Sequence, residues 1–236
     1  MLMIRQEFLP KGHPNRPGFY MEPKGLLIHT TNNWRPGAGD ELHGKYLLDT
    51  VNKVWHVTVD KDSATQHLPF NENGWHAGDG KTGHYNRNWI GLEIACEAVK
   101  EGQPLDKATY DNAVDVASQI MMMHGWYTAE YIAPHSVVYG KNCPHNTLFD
   151  FNKFEKDVLA LIQKRLEAAK PKPGKTPFPD VPSGKWSEDF IKRVVDLKIM
   201  TGLPDGRFDP NGVLTREQAA VIAVRIYDLI MKEVQK

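Results

Sequence analysis

The sequence predicts an α/β fold, a sheet covered by helices, followed by a small and mainly helical second module. Three observations carry this. Short apolar runs ending in polar residues are interleaved with segments of helical periodicity through residue 168, a Pro/Lys-rich stretch then interrupts every period, and two helical segments separated by turn residues follow it.

Gly25-Leu26-Leu27-Ile28-His29-Thr30 is an apolar run closed by polar residues, the pattern of a buried strand whose C-terminal end opens on a site. Val54-Trp55-His56-Val57-Thr58-Val59 and Trp89-Ile90-Gly91-Leu92-Glu93-Ile94-Ala95 read in the same way, giving three core strands. A short helix is expected after Asp40. Between Leu105 and Trp126, Tyr110, Ala113, Val114, Ala117, Ile120 and Met121 recur at helical spacing, with Asp106 as the N-cap. A further helix spans Phe151 to Ala168. The run Ala169-Lys170-Pro171-Lys172-Pro173-Gly174-Lys175-Thr176-Pro177 reads as an extended linker, dividing residues 1–168 from a module at 178–236. In that module a helix runs from Ser187 to Lys198, turn residues fill 202–212, and Thr215-Arg216-Glu217-Gln218 is a capping box opening the next helix.

The 236 residues are enough to bury a core without disulfides, and the two cysteines, Cys96 and Cys143, read as reduced thiols of which one serves chemistry. Lys+Arg and Asp+Glu both number 29, so no net field favours nucleic acid or a membrane surface. No stretch has the length of a membrane span. The opening residues Met1 to Glu7 do not read as a secretory signal, so synthesis in the cytoplasm is expected, with any action outside depending on release.

Ten histidines are many for this length, and most should be structural: His124 lies on an apolar helix, and His13, His67 and His84 stand in loops. His29 is different, because the end of an apolar strand holds a side chain rigidly at a cleft. The second informative cluster is Pro134-His135 through Lys141-Asn142-Cys143-Pro144-His145. Imidazole and thiolate donors together suit Zn²⁺, and three of them leave a fourth tetrahedral position open, although spacing alone leaves a metal site and ordinary structural roles equally open.

The segments Ile28-His29-Thr30-Thr31, Trp75-His76-Ala77-Gly78-Asp79-Gly80, Asn88-Trp89-Ile90-Gly91-Leu92-Glu93-Ile94 and His135 to His145, in this order, resemble the N-acetylmuramoyl-L-alanine amidase family that includes phage endolysins and peptidoglycan recognition proteins. The resemblance implies a mixed sheet flanked by helices, with His29, His135 and Cys143 as zinc ligands. It implies Glu93 as the base for zinc-activated water, Lys141 as a stabiliser of the oxyanion, and Trp75 and His76 as substrate-binding residues. Glu93 in an apolar strand is in any case costly unless paired or used. Trp55 stands where some family members carry a tyrosine, and an indole cannot exchange a proton at neutral pH, so Glu93 carries more of the expected chemistry. The implied substrate is the peptidoglycan of a Gram-positive wall. Two alternatives are a non-catalytic peptidoglycan binder and a zinc peptidase acting within the stem peptide.

The tail resembles a surface-layer homology motif through Phe178-Pro179-Asp180-Val181, Trp186, Gly202-Leu203-Pro204-Asp205-Gly206-Arg207-Phe208-Asp209-Pro210 and Leu214 to Ala219. This resemblance implies a secondary wall polymer as partner. Such motifs usually come in threes, so a single copy implies self-association or weak binding.

Overall fold

A computed structural model of the chain describes residues 1–97, 100, 103–145, 149–169 and 178–234. The chain divides into two compact units, Met1–Arg165 and Leu166–Lys236. Residues 170–177, the greater part of the expected linker, lie outside the described residues.

The first unit is built on a six-stranded sheet of β1 (Ile4–Gln6), β2 (Gly25–Thr30), β3 (Val57–Val59), β4 (Ala64–Gln66), β5 (Trp89–Ile94) and β6 (Ile132–Pro134). Their spatial order is β1-β4-β3-β5-β2-β6. Only the β3/β4 pair is antiparallel; the other four pairings are parallel, so the sheet is mixed. In β2 every residue is buried, as expected of a central strand covered on both faces. Of the three strands expected from sequence, the middle one is shorter: Val54 leaves the ladder to bridge Trp75, and regular pairing starts only at Val57. Strands β1, β4 and β6 are three residues each, too short to show an alternating period in sequence.

Register decides which side chains meet. His29 pairs with Glu93, and Glu93 with Thr58, so these three share one face of the sheet with Leu27, Trp89 and Gly91. Helix α1 (Asp40–Asp49) is tied to this face through Thr65, whose hydroxyl donates to Asp40 Oδ2 at 2.6 Å. The alternate set, Leu26, Ile28, Leu92 and Ile94, is fully buried and apolar. Helix α2 (His84–Asn88) is a short turn leading into β5. Helix α3 (Lys107–Met123) packs across β2, β3 and β5, and its N-cap is the expected one, Asp106 accepting from the amides of Ala108 and Thr109. Helix α4 (Phe151–Ala169) meets α3 through the Tyr110 and Phe154 rings, 5.8 Å apart.

The second unit contains α5 (Glu188–Asp196) and α6 (Arg216–Val234). Asp180 ties its opening strand of chain to the turn region, accepting from the amides of Phe208 at 3.0 Å and Asp209 at 2.7 Å. The capping box forms as the sequence implied: the Gln218 amide donates to Thr215 Oγ1, and the Thr215 amide donates to Gln218 Oε1. Among the described residues no helix is long and apolar enough to cross a membrane.

Candidate metal centre

His29 stands at the C-terminal end of β2, where the parallel neighbours β5 and β6 fix the backbone on both sides. His135 follows β6 directly, in a short 3-10 turn. Cys143 lies beyond that turn, in a segment held to the end of β2 by His145: Thr30 Oγ1 accepts from the His145 amide at 3.1 Å and lies 2.6 Å from its Nδ1. One nitrogen from each histidine and the Cys143 Sγ thereby come within 4.8 Å of one another, despite more than a hundred residues between His29 and the other two. Thr30 and His145 are members of this site that sequence spacing alone could not single out, because their role is a contact between distant segments.

The ring hydrogen bonds show which nitrogens face the cluster. His135 Nε2 donates to the Ala77 carbonyl at 2.8 Å. His29 Nε2 is 3.1 Å from His76 Nδ1, while His29 Nδ1 is 3.8 Å from Cys143 Sγ and 4.0 Å from Glu93 Oε1. His29 therefore turns Nδ1 toward the thiol, and His135, with Nε2 engaged by Ala77, has Nδ1 left as its free donor.

Electrostatics favour a cation here. Burial holds His29 well below the ordinary histidine value, assisted by His76 and His135, and it lowers His135 too, so both are neutral donors at physiological pH. Burial, with the neighbouring Glu93, pushes the Cys143 thiol up to about 12. Glu93 is itself pushed up to about 8 by burial, and its Oε2 has no hydrogen-bond partner among the described residues. A thiol, a carboxyl and two neutral imidazoles that resist ionisation in a buried cluster form a donor set that a divalent cation would compensate. Two nitrogens and one sulfur are a donor set that suits Zn²⁺.

The Lys141 ammonium lies beside Gly78, where a Cβ would stand 2.5 Å from Nζ; with φ of +76° the position also favours glycine on backbone grounds. Its charge reaches the cluster, contributing to the lowering of both His29 and His135. Trp75 is half-buried, packed against a core of Leu9, Leu47, Val54, Trp55 and Leu68, with the Lys81 ammonium 5.9 Å above its ring. Trp55 is buried and donates its indole N–H to Thr58 Oγ1 at 2.7 Å; it lines, with Glu93, Tyr46 and Lys53, a cleft of about 520 Å³.

His76 departs from the expected substrate-facing position. It is buried, its Nε2 donates to the Trp89 carbonyl at 3.0 Å, and its Nδ1 meets His29, so neither ring nitrogen is left for a ligand. His67, expected in a loop with no obvious partner, is fully buried at the end of β4 and hydrogen-bonded to Thr58 Oγ1 at 2.9 Å.

Residues 19–146 match the family described as N-acetylmuramoyl-L-alanine amidase, and residues 177–220 match the S-layer homology domain. Among characterised relatives, the chain is 39% identical over 155 residues to the N-acetylmuramoyl-L-alanine amidase CwlH of Bacillus subtilis, covering 65% of this chain and 60% of CwlH. It is 43% identical over 157 residues to the amidase XlyA of the same organism, covering 66% of this chain and 50% of XlyA, so the match spans only about half to three fifths of these relatives. Among solved structures, the catalytic domain of XlyA superposes with a TM-score of 0.60 at 38% identity, covering 66% of this chain and 99% of that domain. A mutant endolysin from Bacillus subtilis gives 0.60 at 40% identity, covering 67% of this chain and 99% of the endolysin chain. An S-layer protein of Bacillus licheniformis is 45% identical over 56 residues, 24% of this chain and 6% of that protein.

Proposed function

The chain belongs to the N-acetylmuramoyl-L-alanine amidase family, and from that premise we propose that it hydrolyses the amide between N-acetylmuramic acid and L-alanine in the peptidoglycan of a Gram-positive wall. The observation that carries the reading is the convergence of His29, His135 and Cys143 donors within 4.8 Å, beside the Glu93 carboxyl.

His29, His135 and Cys143 would hold the zinc. A zinc ion bound there supplies Lewis acidity and makes water a nucleophile near neutral pH. Glu93 accepts the proton released by the attacking water and returns it to the leaving amine; its free Oε2 is the atom for this task. Burial pushes Glu93 up to about 8; a cation held by the neighbouring donors would favour its carboxylate form, the form that acts as base. Lys141, the cation beside Gly78, stabilises the developing oxyanion. The exposed part of the Trp75 ring offers a flat apolar surface to the substrate. Mass spectrometry of the products from purified peptidoglycan tests the reading: new N-terminal alanine with intact muramic acid supports it, whereas cleavage within the stem peptide assigns a peptidase and no cleavage a binder.

The likeness to an endolysin supports a lytic enzyme that reaches the wall after release from the cell in which it is made. Residues 178–236 act, in this reading, as a wall-attachment module for a secondary wall polymer, supported by the S-layer homology match. Self-association is part of the same proposal. Along α6, Ala220, Ala223, Tyr227 and Ile230 are exposed at heptad spacing, while the half-buried Ile222, Arg225 and Leu229 occupy the other side.

A further inference from the structure

We infer that His76 is a positioning residue that fixes His29 in the Nε2–H form and thereby makes Nδ1 its metal-binding atom. The inference rests on the zinc reading above and assigns His76 a role other than substrate contact. A backbone carbonyl can only accept, so the 3.0 Å contact with the Trp89 oxygen places a proton on His76 Nε2. The ring is buried and its two hydrogen-bond partners are a carbonyl and another imidazole, with no carboxylate to hold a second proton, so it is neutral and carries that one proton alone. Its Nδ1 is then an acceptor. His29 Nε2, 3.1 Å away, must donate to it, which leaves the His29 Nδ1 lone pair bare on the side of Cys143 and Glu93.

The local sequence is shaped to hold that ring. A Cβ on Gly91 or on Gly74 would stand 2.7 Å from atoms of the His76 ring, so both neighbours must be glycine for it to fit. The amides of His76 and Ala77 both donate to Asn86 Oδ1 at 2.8 Å, fixing the backbone that carries it. The next residue does the same for the other histidine, since the Ala77 carbonyl accepts from His135 Nε2. Three consecutive residues thus orient the centre: His76 sets His29, Ala77 sets His135, and Gly78 makes room for Lys141. Hydrogen-bond partners of this kind fix ligand tautomers and raise metal affinity.

The test uses the full chain with Zn²⁺ alone. Chelator competition should give a zinc Kd about 10–100-fold weaker for His76→Phe, which keeps a ring without nitrogens. His76→Asn, whose Oδ1 can replace the Nδ1 acceptor, should restore most of the affinity. Long-range ¹H–¹⁵N spectra of the zinc-free wild type should show His29 protonated at Nε2, and added Zn²⁺ should shift Nδ1. A wild type with His29 protonated at Nδ1 overturns the inference, and so does a folded His76→Phe with unchanged zinc affinity. If His76→Phe fails to fold, the wild-type spectrum decides. A wild type that takes up no zinc overturns the metal reading instead, while the zinc-free spectrum still decides the tautomer.

Discussion

The Glu93 carboxyl is energetically awkward in the zinc-free chain: burial raises its pKa to about 8, and Oε2 goes without a partner among the described residues. Such cost is retained where it serves chemistry. Glu93→Gln should keep zinc at wild-type stoichiometry while turnover on peptidoglycan falls by about 10²–10⁴-fold; near-normal turnover would return Glu93 to a structural role. Other buried residues titrate without acting on substrate. Burial holds His67 down to about 3 and His56 to about 4, against 6.5 for the free group. Below pH 6.5 the unfolded chain binds protons that these folded histidines refuse, so their contribution is full above that pH and is lost as pH falls toward about 4 for His56 and about 3 for His67. At pH 5 the loss is about 2 kcal/mol per histidine. Urea melts at pH 7 and 5 check this: wild type should lose about 2 kcal/mol more than His67→Gln, and equal losses would refute neutral burial of His67.

Among the elements, two helices show how far local sequence carries. Asp106 caps α3 with two amide hydrogen bonds, so Asp106→Ala should cost about 1 kcal/mol in thermal or denaturant melts, with zinc content unchanged. Helix α6 poses the opposite case, because it carries apolar residues on nearly every side. Tyr227 is 61% exposed and Ile230 57%, although apolar positions around a whole helix imply burial. The apolar flanks Val224 and Ile226 widen the heptad stripe. Sedimentation velocity should show the full chain associating with rising concentration, and Tyr227→Asp with Ile230→Asp should return it to monomer. A wild type that stays monomeric at high concentration would remove self-association as the way a single motif gains affinity.

For the molecule as a whole, every proposed ligand and catalytic group lies before residue 146, within the unit Met1–Arg165. A chain truncated after residue 170 should therefore keep its fold, its zinc and its activity on soluble fragments. On whole walls it should be slower, since tethering even a weak binder raises the local concentration of enzyme at the surface. A fusion of residues 178–236 to a fluorescent carrier should bind host walls, more strongly when oligomerised. Loss of zinc on truncation would make the tail part of the catalytic fold, and a fusion that fails to bind even as an oligomer would remove wall attachment.

The sequence by itself determined the fold class, the long strands β2 and β5, the long helices with the caps of α3 and α6, and the motif segments carrying His29, Glu93, His135 and Cys143. These are local facts: periodicity and capping depend on neighbours a few residues apart. Only the tertiary structure decided that Thr30 and His145 clamp the thiol segment, that His67 is buried, and that His76 stands behind His29 with both ring nitrogens engaged. Each depends on contacts between distant segments, and the protonated nitrogen of a histidine follows from the partner it meets, which sequence order does not record.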